Sequence, residues 1–135
     1  MRCSSERPRS SHARTPTPHA QGTVREATEI KSATGLAAWE WSWPGVAPNS
    51  PIVIYMHGGA RLFNSANPAL NGWTVRFLES LSRQTASRCL SVEYSLAPDV
   101  NGAQQVTEVL RVYRHLLESG VAPNKIGFVG ESGGE

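Results

Sequence analysis

The chain has 135 residues, 39% of them hydrophobic, with 13 Lys and Arg against 11 Asp and Glu, enough for one globular domain or a piece of a larger one. No run reaches the ~18 apolar residues a membrane-spanning helix needs, the 12 Gly keep no triplet period and the 9 Pro interrupt any long heptad run, so a membrane span, a collagen and a coiled coil are excluded. The net charge of +2 is unevenly placed: residues 1–22 hold four Arg against Glu6 alone and the remainder is close to neutral, and a basic tail without a basic face argues against nucleic-acid binding.

Residues 1–22 contain no Val, Ile, Leu, Phe, Tyr or Trp and are rich in Ser, Arg, Thr and Pro. Such a stretch has nothing to bury, and a disordered tail is expected. Pro8, Pro16 and Pro18 oppose the amphipathic helix of an organelle transit peptide. There is also no apolar segment of the kind a secretory signal carries, which favours the cytoplasm. The two cysteines, Cys3 and Cys89, are far apart and outside any C-x-x-C pair, so neither a disulfide framework nor a structural zinc site is expected.

A folded domain is expected over residues 30–135. From Leu36, Trp39, Trp41 and Trp43 alternate with Ala38, Glu40 and Ser42, the period of a half-buried strand that stops before Pro44. Three tryptophans on one face can stack on a ligand; packing in the core or at an edge is the simpler reading. Ile52-Val53-Ile54-Tyr55-Met56 is apolar without alternation, as in a strand covered on both faces. Asn67-Pro68 reads as a helix cap and first turn, and Leu70, Trp73, Phe77 and Leu81 follow at helical spacing. Residues 88–94 read as another strand. Val106, Val109, Leu110, Tyr113, Leu116 and Leu117 trace a second helix, with Asn101 near its start, Gly120 past its end and Pro123 beyond. Residues 125–130 form a last short strand. This order implies an α/β fold, a mostly parallel sheet with flanking helices.

The last strand runs into Gly130-Glu131-Ser132-Gly133-Gly134, which matches G-x-S-x-G. A strand-to-helix turn this sharp leaves no room for side chains two positions either side of the serine, and it projects Ser132 Oγ at the top of the sheet. His57-Gly58-Gly59-Ala60 follows the apolar strand. Backbone N–H groups of such a glycine loop, with that of Gly133, suit a developing oxyanion. The plainer alternatives are a strand-end turn for the glycines and a buried loop-bracing role for His57. No G-x-G-x-x-G follows the first strand and no P-loop occurs, so dinucleotide and nucleotide binding are set aside.

His57-Gly58-Gly59-Ala60, Val92-Glu93-Tyr94-Ser95-Leu96-Ala97-Pro98 and Gly130-Glu131-Ser132-Gly133-Gly134 together resemble the hormone-sensitive-lipase-like carboxylesterases and lipases of the α/β-hydrolase superfamily, with their HGGG loop, YRLAP segment and GDSAGG elbow. Ala60, Ser95 and Glu131 stand where that family usually has glycine, arginine and aspartate. The resemblance implies a serine hydrolase acting on small-molecule esters without metal or organic cofactor. It implies Ser132 as nucleophile, the N–H groups of Gly58, Gly59, Ala60 and Gly133 as the oxyanion hole, and His57 as support for the loop. In that family the triad acid and histidine follow the serine, whereas only Gly133, Gly134 and Glu135 follow here, and His57 and His115 precede it. The expectation is an N-terminal part of the fold, inactive alone and prone to aggregate or remain partly unfolded. Alternatives are a non-catalytic binding or receptor module on the same fold and a related serine peptidase.

Overall fold

The computed structural model describes residues 26–31 and 37–135, and the tail expected over residues 1–22 lies outside them. Five strands form one sheet in the order β1-β2-β4-β3-β5. They are β1 (Glu26–Lys31), β2 (Ala37–Ser42), β3 (Ile52–Met56), β4 (Arg88–Val92) and β5 (Ile126–Gly130), with helices α1 (Gly72–Thr85) and α2 (Gly102–Glu118) between them.

The strands joined through helices run parallel, as expected: β3 pairs with β4 and with β5. The two upstream strands are antiparallel additions, β2 to β4 and β1 to β2. β1 has no counterpart in the sequence reading. Its sequence, Glu-Ala-Thr-Glu-Ile-Lys, carries three charges and no apolar alternation, a composition suited to a sheet edge.

β3 is covered on both faces because its side chains alternate between two clusters. Ile52 and Ile54 join Ala38, Leu90, Val92, Tyr94 and the α2 residues Val112 and Leu116. Tyr55 faces the other way and joins Trp41, Trp43, Cys89 and the α1 residues Val75 and Leu78. The sheet is thus sandwiched between the two helices. Trp41 and Trp43 stack on each other with ring centroids 6.0 Å apart and are buried, so these tryptophans are core.

Helix α1 begins later than the Asn67-Pro68 signal suggests. Asn71 is the cap, its side chain accepting from the Thr74 N–H at 3.2 Å. Asn67 instead closes a tight turn, with its Oδ1 accepting from the Ala69 N–H and its carbonyl from the N–H groups of Leu70 and Asn71. The buried face is Thr74, Val75, Leu78 and Ser82, whereas Leu70 and Trp73 are 74% and 56% exposed. Phe77 and Leu81 do pack on the core, at its margin. Helix α2 matches its signals: Asn101 caps it by accepting from the Gln104 N–H at 3.0 Å, and Gly120 follows with φ +87°. Its Val112 and Leu116 are buried and Val109 and Tyr113 pack beside them, but Val106 and Leu110 face outward.

Candidate active site

Register decides which loops meet. Met56 lies opposite both Val92 of β4 and Gly130 of β5, so the three parallel strands end together at one edge of the sheet, where ligands sit in open α/β folds. The loops leaving that edge carry residues 57–60, 94–98 and 130–134, motifs separated by up to 73 residues along the chain.

Residues 132–134 form one 3-10 turn, closed by the Gly134 N–H donating to Glu131 O at 2.9 Å and the Glu135 N–H to Ser132 O at 3.0 Å. Ser132 sits at φ +50°, a left-handed conformation that costs a non-glycine residue about 1 kcal/mol or more. A Cβ at Gly130 would overlap the Gly134 carbonyl, and one at Gly134 the Met56 carbonyl. These are the two positions at which the sequence pattern demands small residues. Ser132 is exposed, and its hydroxyl has no hydrogen-bond partner among the described residues.

The facing loop turns through three consecutive positive φ values, +117° at Gly59, +54° at Ala60 and +63° at Arg61. Ala60 thus adopts the conformation that glycine would take more easily. The Leu62 and Phe63 N–H groups donate back to Gly59 O at 2.9 and 3.2 Å. Among the described residues the N–H groups of Gly59, Ala60 and Gly133 have no acceptor. Gly58 is buried against Glu131, and its carbonyl takes up the two bonds described below from the His57 ring and Asn64.

Beneath the loop, the His57 ring stacks on Tyr94, centroids 4.3 Å apart, and is fully buried. Its Nδ1 lies 2.8 Å from Gly58 O, which puts the proton on Nδ1 because a carbonyl only accepts. Nε2 then has no partner among the described residues. The Tyr94 hydroxyl donates to His57 O, and burial pushes the Tyr94 phenol above its usual range. Asn64 Nδ2 donates to Gly58 O at 3.3 Å, and Glu93 accepts from Ser65 Oγ at 2.7 Å and from the Ala66 N–H at 2.9 Å, fixing the loop's far end.

Three side chains absent from the motif reading tie the two halves together. Tyr55 donates to Glu131 Oε2 at 3.0 Å; burial first, and the Glu131 carboxylate with it, raise the Tyr55 phenol far above the usual range. Arg61 Nε donates to Gly133 O at 2.7 Å. Gln105 Nε2 donates to Ser95 O at 2.9 Å and Arg61 O at 3.3 Å. A polar tip within the otherwise apolar Ile52–Met56 run was a signal for Tyr55, since a buried phenol needs a partner. Arg61 and Gln105 carried none.

A cavity of about 200 Å³ opens against the elbow, lined by Met56, Arg61, Tyr94, Val109 and Gly133. A larger one of about 530 Å³ lies beside residues 92–96 and does not touch Ser132. The smaller cavity borders the elbow at Gly133, Gly134 and Glu135, and Ser132 lines neither. Among the described residues no three His, Cys, Asp or Glu side chains cluster to hold a metal, and no helix is long and apolar enough to cross a membrane.

The family described as alpha/beta hydrolase fold matches residues 53–135. The chain belongs to the α/β-hydrolase fold family. Within that family it is similar to an acetyl esterase of Salmonella schwarzengrund, 29% identical over 87 residues that make up 62% of this chain and 25% of the relative. It is also similar to neutral cholesterol ester hydrolase 1 of Mus musculus, 27% identical over 96 residues, 64% of this chain and 23% of the relative. Among solved structures, an esterase/lipase from an uncultured bacterium superposes with TM-score 0.70 at 25% identity, covering 82% of this chain and 35% of that one. A hormone-sensitive-lipase homologue from a metagenome library superposes with TM-score 0.67 at 25% identity, covering 87% and 37%. This α/β-hydrolase chain therefore spans about a quarter of the length of the curated relatives it matches.

Proposed function

We propose that the protein is a carboxylic ester hydrolase in which Ser132 is the nucleophile. The observation that carries the reading is the left-handed Ser132, exposed on the elbow across from a loop whose Gly59 and Ala60 N–H groups have no acceptor. Ser132 Oγ bonds to the ester carbonyl carbon, and the carbonyl oxygen takes the negative charge. The N–H groups of Gly59, Ala60 and Gly133 stabilise that charge, with Gly58 and His57 holding their loop in shape. As the C–O bond breaks, the alcohol departs with the proton taken from serine by a general base. Water then attacks the acyl-serine, releasing the acid and restoring the hydroxyl. Among the described residues no histidine is hydrogen-bonded to Ser132. No step calls for a metal or an organic cofactor. The substrate class is a small-molecule carboxylic ester, a reading supported by the acetyl esterase and the neutral cholesterol ester hydrolase among the relatives.

The missing partner of Ser132 Oγ is also what a non-catalytic module on this fold would present. One experiment separates the two. The full polypeptide carrying residues 1–135 is assayed on a chromogenic short-chain ester and labelled with a serine-directed phosphonate, beside Ser132→Ala. Turnover that falls at least ~1000-fold in Ser132→Ala, with loss of label, supports the hydrolase. Turnover that survives in Ser132→Ala, or a parent that neither turns over nor labels, rejects it.

A further inference from the structure

We propose that Arg61 is a positioning residue for the oxyanion site, one that sets the Gly133 N–H against those of Gly59 and Ala60 by holding the Gly133 carbonyl. The proposal rests on the reading of Ser132 as nucleophile. Two donors stabilise one oxyanion only if both lie about 3 Å from the same point, and here they come from separate loops, one after β3 and one after β5. The loops touch backbone to backbone: a Cβ on Gly133 would lie 2.8 Å from Ala60 Cα and from Arg61 N. Gly133 therefore has no side chain of its own to fix its torsions.

Arg61 supplies the constraint from outside. Its Nε donates to Gly133 O at 2.7 Å and its guanidinium reaches Glu135 O at 3.2 Å, so a planar fork holds both ends of the turn after Ser132. Arg61 is itself anchored, because its carbonyl accepts from the Ala97 N–H at 2.9 Å and from Gln105 Nε2 at 3.3 Å. The N–H and C=O of Gly133 flank one Cα, so holding the carbonyl restrains the torsions that aim the N–H. Ala60, the neighbouring donor, is adjacent to Arg61 in the chain. One residue thus links both halves of the site.

The experiment compares parent, Arg61→Ala and Arg61→Lys in the full polypeptide carrying residues 1–135, with steady-state ester hydrolysis, phosphonate labelling rates and melting temperatures. Arg61→Lys keeps the charge but offers one compact donor group, and it retains a folded protein for comparison if Arg61→Ala melts early. Expected for Arg61→Ala is a kcat and labelling rate lower by about tenfold, milder than the ~100-fold cost of deleting a donor, with KM nearly unchanged. Arg61→Lys falls between. A low, non-denaturing concentration of guanidinium restores part of the rate to Arg61→Ala and none to Ser132→Ala, a rescue that a merely structural role would not give. Parental labelling and kcat in both variants, or a rise confined to KM, overturns the role of Arg61 alone. A parent that does not label removes the Ser132 reading and this proposal together.

Discussion

Single atoms set the character of the site. Ser132 and Ala60 both accept left-handed backbone, and each does so where close contacts over-determine the fold around it. The sequence signalled the first through G-x-S-x-G, because the overlaps at Gly130 and Gly134 are intrinsic to so tight a turn. The partners of that turn, Tyr55 on Glu131 and Arg61 on Gly133, are separated from it by more than 70 residues; Tyr55 shows locally only as a polar tip in an apolar run, and Arg61 leaves no local trace. Cys89 shows the opposite case, a reactive group made inert. It is fully buried between the sheet and α1, and burial pushes its thiol up to about 12. The folded protein therefore holds this proton more tightly than the unfolded chain, so between pH 9 and 12 stability falls as pH rises. Tyr55 and Tyr94, both raised from 10, act in the same direction above that value. Urea midpoints measured at pH 8 and pH 11 are expected to drop at the higher pH, and to drop less in Cys89→Ala. A thiol reagent at pH 8 should modify Cys89 only after denaturation.

At the scale of elements, the helices separate what pattern can and cannot say. Both have an asparagine cap and an apolar face, and α2 lies where its caps put it. For α1 two asparagines four residues apart compete, and Asn71 wins because Asn67 is engaged by its own turn. The face that packs differs from the one the pattern predicts for a related reason: large Leu70 and Trp73 weigh heavily in a hydrophobic pattern, yet the smaller Thr74, Val75 and Ser82 fit under the helix with Leu78, while Phe77 and Leu81 pack at the margin. Trp73 instead lies flat on Phe77, centroids 5.3 Å apart, and Phe77 packs on Tyr55 at 5.5 Å. The two readings differ in energy. Leu78→Ala is expected to cost about 2–5 kcal/mol, the range for a buried leucine, while Leu70→Ala changes stability by less than about 0.5 kcal/mol. Urea unfolding of both variants decides between the registers, and a large loss at Leu70 would reinstate the earlier helix start.

For the whole molecule, the sheet order matters most. β3 lies between β4 and β5, so the loops after all three gather at one edge of the sheet and the three motifs of the candidate site meet there. The same order leaves β5 as an edge among the described residues, with Phe128 48% exposed and Val106 and Leu110 of α2 also open to solvent. An apolar edge strand of this kind promotes pairing with other chains. The 135-residue chain is expected to self-associate with rising concentration in sedimentation, and Phe128→Glu to reduce that association; a monomer at all concentrations would contradict this. What the sequence determined by itself is whatever depends on neighbours along the chain: the apolar strand runs, the caps and terminating glycine of α2, and the serine elbow with its glycine loop. Only the tertiary structure decided the antiparallel β1 and β2, the packed face of α1, and the clamp from Arg61 to Gly133. Each of these is a choice among contacts between distant segments, and packing density and hydrogen-bond satisfaction over the assembled fold make that choice.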